Sequence, residues 1–371
     1  MGTVPQLAPA PPSPAAATPL AAYLVAGKPG VQLVPYRGAL TPATCSDYNG
    51  ELTSLTSAAG IYDLGYMAFL RVSGNDRIRW LNGMVTNTVQ ALEEGHYNYS
   101  FLLNSQGRIL GDATTYRFSD QLLLETDRNQ VSRLTAHLDH FIIMDEVELH
   151  ELDASTTVLG IAGPSSVEIL ASLGLAVPGE DQFAQVRIED ADVTLVHAYS
   201  PVVPHFELWV PTASLPSIWG MVTAAGAVPC GVSAVEALRV FTATPLYSVD
   251  IQERHLAQET AQTRALNFNK GCYLGQEIVE RIRSRATIHR TLRQFLLTGN
   301  VPALEAGQTI PIDAEQTERN PVGEITSVAH YAIPAFNSTL ALGFIRTEVL
   351  ERKVAITYSE GKAEPLDAPP I

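Results

Sequence analysis

The turn Asn104-Ser105-Gln106-Gly107 constrains this chain more than any other segment. It separates a strand-like run at residues 97–103 from a second at 108–118, and Ser119-Asp120 separates the second from a third at 122–126. Asn-x-x-Gly and Ser-Asp between such runs are hairpin signals, so the three form an antiparallel meander. Helical patterns surround it. Residues 44–59 carry Leu52 and Leu55 on a sparse apolar face, 75–82 follow the turn-and-cap cluster Ser73-Gly74-Asn75, and 129–141 turn Leu134 and Leu138 inward. Gly60-Ile61-Tyr62-Asp63-Leu64-Gly65 reads as an interruption ahead of a strand at 68–73. Strands at 156–162, 193–198 and 206–210 are interspersed with helices from Gly163-Pro164 to 173, at 212–225 and at 234–241. Strands mixed irregularly with helices predict an α+β fold rather than a βαβ series.

From Thr291 the character changes. Five short runs, at 292–298, 309–312, 322–329, 340–345 and 353–358, are separated by Gly, Pro and Asn turns. That spacing predicts a small antiparallel β-barrel as a separate domain. The expected organisation is an Ala/Pro-rich flexible tail over 1–35, an α+β region over 36–285, and the barrel over 286–371.

Composition narrows the function. The chain has 371 residues, 46% of them hydrophobic, enough for two or three cores. A net charge of −15 opposes general nucleic-acid binding. No apolar run is long enough to span a bilayer, so no membrane partner is expected. Residues 1–20 contain no Lys or Arg, unlike the basic start of a signal peptide, and the three cysteines, Cys45, Cys230 and Cys272, lie far apart. Both features fit a reducing, cytoplasmic setting. No HExxH, P-loop or GxGxxG pattern is present.

The densest chemistry lies in Asn269-Lys270-Gly271-Cys272-Tyr273-Leu274-Gly275-Gln276-Glu277. Two glycines four apart suggest tight turns or close backbone approach. Lys270 could lower the pKa of the Cys272 thiol and make it a better nucleophile or ligand. The alternative is a polar connecting loop with an inert Cys. Directly after it, residues 280–293 hold five Arg and one Glu, a local net of +4 in an acidic chain. Such an island attracts an anion or a partner, or is a solvated face.

Lys270-Gly271-Cys272-Tyr273-x-Gly275-Gln276-Glu277 resembles the signature of the YgfZ-type folate-binding proteins, paralogues of the glycine-cleavage T-protein (aminomethyltransferase). The likeness extends along the chain through Val72-x-Gly74-x-Asp76, the hairpin from Tyr99 to Phe118, Gly163-Pro164, Ala237-Leu238-Arg239 with Pro245-Leu246-Tyr247, Val322-Gly323-Glu324-Ile325-Thr326-Ser327 and Ala341-Leu342-Gly343. It implies two folate-binding α+β subdomains and a C-terminal barrel arranged as a three-part ring around a cavity. It further implies tetrahydrofolate, in polyglutamylated form as one option, as the cofactor, and iron–sulfur client or assembly proteins as partners.

Onto this sequence the resemblance maps Asp112 and Glu207 near the pterin and Arg239 near the folate tail. A carboxylate accepts two N–H donors from a 2-amino-4-oxo pteridine edge. Tyr99 and Tyr116 are candidate walls for a flat heteroaromatic ligand. The T-protein has two adjacent acidic residues where this chain reads Gly111-Asp112. That difference weighs against aminomethyl transfer. The expected function is tetrahydrofolate binding in support of iron–sulfur protein assembly or repair, with Cys272 as the functional thiol and Lys270, Gly271, Tyr273, Gly275, Gln276 and Glu277 as its loop. The alternative is a folate-dependent aminomethyltransferase or demethylase of the T-protein type.

Overall fold

The computed structural model describes residues 15–28, 30–285, 288–302, 304, 307–315, 321–334 and 336–370. The meander forms as expected. Tyr97–Leu103, Ile109–Arg117 and Leu122–Asp127 pair antiparallel, and Met67–Ser73 and Glu148–Glu151 extend them to five strands. Its first turn closes because Asn104 Oδ1 accepts the main-chain N–H groups of Gln106 and Arg108 while Gly107 takes φ +69°. The helix Arg128–Asp139 covers one face, with Leu134 and Leu138 packed on Leu70, Leu102, Ala113 and Leu124.

A second sheet has six strands in the order Phe183–Ile188, Ala191–His197, His205–Pro211, Thr156–Ala162, Gly60–Asp63 and Val228–Cys230. Gly60–Asp63, expected to be an interruption, is a strand with all four residues buried. It lies antiparallel to Thr156–Ala162 and parallel to Val228–Cys230, covered on both faces, so the alternation that marks a half-buried strand is missing. Gly160 lies opposite Tyr62, and a Cβ there would sit 2.3 Å from the tyrosine ring.

Of the expected tail, residues 1–14 and 29 lie outside the described residues. Within the remainder, Pro19–Gly27 is a helix, and Leu33–Tyr36 pairs with Ala39–Pro42. Local rules explain the helix: the Thr18 hydroxyl accepts from Ala21 N–H as N-cap, and Pro19 occupies the first turn. Leu20 then joins the core of the second sheet beside Leu159 and Ile161.

The C-terminal unit is a closed barrel of six strands, Arg290–Gly299, Phe336–Arg346, Gly323–Ile333, Ile310–Ala314, Ile356–Tyr358 and Gly361–Leu366. The sixth strand was not anticipated because Pro365 and its four small or charged neighbours, Gly361, Lys362, Ala363 and Glu364, mask it. The helix Gln276–Arg285 precedes the barrel and occupies the first part of the arginine run. Tyr331, Leu340 and Leu342 of the barrel pack on Ala237, Val240 and Phe241 of the helix Val232–Phe241. Gln294 Nε2 adds hydrogen bonds to the carbonyls of Val240 and Phe241 at 2.6 and 3.1 Å. Among the described residues no helix is long and apolar enough to cross a membrane.

Candidate functional site

Period-two alternation puts Tyr97, Tyr99, Asp112, Thr114, Tyr116 and Glu125 on one face of the meander. The second sheet brings Tyr62, His205 and Glu207 opposite them, and Val232–Phe241 contributes Glu236, Leu238 and Arg239. Together these line a cleft of about 240 Å³, closed further by Arg37 and Tyr199 from loops and by Arg264 from the short 3-10 helix Thr263–Ala265. Its floor is aromatic: Tyr116 packs on Tyr97 and Trp209 with centroids 5.1 and 4.6 Å apart. Thus five residues nominated from the sequence, Tyr99, Asp112, Tyr116, Glu207 and Arg239, converge on one cavity.

Two carboxyls meet at the base. Tyr116 Oη donates to Glu125 Oε2 at 2.9 Å, and Trp209 Nε1 donates to Glu207 Oε2 at 3.1 Å. Glu125 and Glu207 line the same cleft, and the charge of Glu207 acts on Glu125. Burial raises both pKa values, and the Glu207 charge raises that of Glu125 further. Sequence reasoning passed over Glu125. The available signal was an acidic residue inside the apolar run Leu122-Leu123-Leu124, where an unpaired charge is costly.

Asp112 accepts from Tyr99 Oη at 2.7 Å and from Gln130 Nε2 at 3.0 Å. Burial and the adjacent carboxylates push both Tyr99 and Tyr116 well above the usual phenol range, so both are hydroxyl donors. Gly111 has the opposite orientation. A Cβ there would meet Gln130 Oε1 at 2.7 Å and Leu134 Cδ2 at 2.8 Å, beneath the covering helix. His205 is neutral because burial lowers it to about 4. It hydrogen-bonds Tyr62 Oη through Nε2 at 2.8 Å.

Arg239 borders the cleft but its donors are engaged within the protein. It binds both oxygens of Glu236, Asp250 Oδ2 at 2.6 Å, Ser327 Oγ at 2.9 Å and the Thr244 carbonyl. Arg37 is similarly paired with Asp127. Arg264 differs. Its guanidinium lies 4.0 and 3.9 Å from the ring centroids of Tyr99 and Tyr199, and Arg264 Nε donates a long hydrogen bond to Gln262 Oε1 at 3.4 Å. It sits in a segment, Gln262-Thr263-Arg264, with no sequence pattern to mark it.

The 269–277 loop lies elsewhere. None of its residues lines the cleft. Lys270 Nζ donates to the carbonyls of Asn82, Val85 and Asn87, each at 2.6 Å, and sits 4.9 Å from the Tyr273 centroid. Burial draws this amine down to about 7, while three carbonyl dipoles favour its charged form. The expectation that Lys270 serves Cys272 is thus replaced by a main-chain role for the ammonium. Tyr273 is buried beside Phe101 and Tyr247, Gln276 Oε1 accepts Tyr273 N–H, and Glu277 is exposed in the first turn of the following helix. Of the two glycines only Gly275 is conformationally demanding: φ is +83°, and a Cβ would lie 2.7 Å from the Asn104 carbonyl oxygen. Gly107 answers from the hairpin, where a Cβ would lie 2.7 Å from Ile278 Cβ. Gly271 has open space around it. Cys272 is exposed, Cys45 half-buried and Cys230 buried.

The arginine island is not part of the cleft either. Arg283 pairs loosely with Glu280 and stacks on Phe268, and Arg290 pairs with Glu259 at 3.2 Å. The side chain of Arg285 and residues 286–287 lie outside the described residues.

Residues 36–270 match the family model described as the GCVT N-terminal domain. An aminomethyltransferase of Exiguobacterium sibiricum is 25% identical over 312 residues, which span 81% of this chain and 86% of that one. One from Deinococcus deserti is 22% identical over 353 residues, 94% of each chain. A putative chloroplastic transferase of Arabidopsis thaliana is 24% identical over 281 residues, covering 74% of this chain and 63% of that protein. In fold, the chain is similar to the glycine cleavage system aminomethyltransferase T from Bartonella henselae, with a TM-score of 0.80 at 19% identity over 95% and 96% of the two chains.

Proposed function

This chain belongs to the GCVT N-terminal domain family, and from that premise we propose that its cleft binds tetrahydrofolate. The observation that carries the reading is the convergence of the Glu207 carboxylate, Asp112 and the phenols of Tyr99 and Tyr116 on one aromatic-floored cavity. Glu207 matches the paired N–H donors of a 2-amino-4-oxo pteridine edge, and the tyrosines offer faces to a flat ring. Arg264, close to the rings of two tyrosines, is the residue for the carboxylates of the tail, including a polyglutamylated one, because Arg239 is already saturated.

The finer reading is that the folate-bound protein supports assembly or repair of iron–sulfur clients in the cytoplasm, with the exposed Cys272 as its thiol. The Lys270–Glu277 signature motivates it. Calorimetry with tetrahydrofolate is expected to give saturable heat that Glu207→Ala abolishes. Absence of heat in the wild type overturns the folate reading. Cys272→Ala is expected to depress iron–sulfur enzyme activities in cells lacking the wild-type copy; normal activities overturn the thiol role.

A second reading, folate-dependent one-carbon transfer, gains from one observation. Position 111 faces the covering helix, so its missing carboxylate takes nothing from the cleft, and Asp112 keeps the cleft-facing place. Methylene transfer from an aminomethyl donor, lost in Asp112→Asn, would make this the primary function.

A further inference from the structure

We propose that Glu125 is a positioning residue that holds a proton at the base of the cleft and, as a neutral acid, sets Glu207 as a single carboxylate for a ligand edge bearing two N–H donors. The inference rests on the folate reading for the identity of that ligand, but its first half concerns the protein alone.

The hydrogen-bond geometry carries it. Glu125 is 4% exposed. One of its oxygens, Oε2, accepts from Tyr116 Oη at 2.9 Å. The other, Oε1, is buried with no donor in reach. A buried carboxylate oxygen without a donor is strongly disfavoured, whereas a protonated Glu125 can donate its O–H to Glu207, which lines the same cleft. Glu207 Oε2 in turn accepts from Trp209 Nε1 at 3.1 Å. The result is a chain in which Tyr116 donates to Glu125, Glu125 donates to Glu207, and Trp209 donates to Glu207. One negative charge remains, on Glu207.

The surrounding groups favour that state. Tyr116 and Tyr97 face the pair from the meander, Tyr62 from the second sheet, and all three stay neutral because burial raises their pKa values. Arg37 is the cation acting on both carboxyls, and it is itself paired with Asp127. One cation committed to another carboxylate does not balance two further charges, so the pair retains a proton. Phe69, opposite Glu125 on the neighbouring strand, and Trp209 exclude water from this side.

The consequence for binding follows. A singly charged pair matches two N–H donors, while a doubly charged pair would add a bare carboxylate against the ligand's carbonyl oxygen. Ligand binding above the pair's titration therefore takes up one proton, and affinity falls as pH rises.

Two measurements test this. Infrared difference spectra of the ligand-free protein against Glu125→Gln at neutral pH are expected to show a protonated carboxyl band in the wild type only. Its absence overturns the proposal whether or not folate binds. Calorimetry with tetrahydrofolate is then run across pH and in two buffers of different ionisation enthalpy. Glu125→Ala is expected to weaken binding roughly tenfold or more, the usual scale for losing a hydrogen bond to a charged group, and Glu125→Gln to restore most of it because the amide still donates. The wild type is expected to take up protons at alkaline pH, and Glu125→Gln to take up none. Equal proton uptake in the two proteins overturns the inference with the folate reading intact. No heat in the wild type sinks the folate reading, and the infrared result alone then decides the role of Glu125.

Discussion

Replacing Arg239 by methionine should unfold the protein more readily without a specific effect on ligand affinity. Its side chain is 11% exposed and that of Asp250 is 0% exposed. The substitution leaves Glu236 and Asp250 without their cation. Breaking a buried ion pair from one side costs about 3–5 kcal/mol. The lower end applies here, because Asp250 keeps the Leu246 N–H and the hydroxyls of Thr326 and Ser327, and Glu236 keeps Tyr36 and some water. We therefore expect a loss of ~3 kcal/mol in equilibrium urea denaturation. Asp250→Asn on the Arg239→Met background should recover part of that loss, since it removes the orphaned charge. A loss under ~1 kcal/mol, or strict additivity of the two substitutions, would refute the hub assignment. If Arg239 were instead the receptor for a ligand carboxylate, affinity would collapse while the urea midpoint stayed in place.

Other outcomes are open to direct test. Glu125 has a folded-state pKa above its unfolded value of ~4.3, so its stabilising contribution is complete below that value and is lost as pH rises through the folded one, at up to ~1.4 kcal/mol per pH unit. Urea midpoints measured from about pH 6 to about pH 9 should fall for the wild type and flatten for Glu125→Gln; parallel slopes would contradict the assignment. Alkylation of the native protein, followed by peptide mass spectrometry, should modify Cys272 first. Cys45, which burial and Glu51 push up to about 12, and the buried Cys230 should react only on unfolding, and early labelling of Cys230 would count against the fold. Gly160→Ala places a methyl within 2.3 Å of the Tyr62 ring and should cost about 1–3 kcal/mol, seen as a lowered melting temperature. An unchanged melting temperature would mean that the ring moves freely.

Much of the fold was legible because local rules and burial agreed. The Asn104–Gly107 turn, the apolar face of Arg128–Asp139 and the short barrel strands each state their conformation in their own residues. Gly60–Asp63 did not, since a strand covered on both faces carries no alternation. The helix Pro19–Gly27 was obscured by its Ala/Pro-rich surroundings, although Thr18-Pro19 is a helix start. Within the cleft, Glu207 and Asp112 were found through a motif-level likeness, whereas Glu125 and Arg264 belong to no motif. Their roles arise from what tertiary packing sets beside them: a second carboxyl for one and two tyrosine rings for the other. Arg239 illustrates the converse. Its sequence context pointed to the cavity, but its partners Asp250 and Ser327 come from 11 and 88 residues away and could not be read from it.

The pair of glycines that interlock the hairpin with the signature segment, Gly107 against Ile278 and Gly275 against Asn104, bears on how such a chain diversifies. Neither side tolerates a side chain unless the other retreats, so a change in one segment demands a compensating change in the other, despite their lying some 170 residues apart. Transplanting residues 269–285 into a related scaffold without its hairpin would import the thiol but not its seating. A donor hairpin moved together with that segment should preserve both, which makes the two a single unit of exchange.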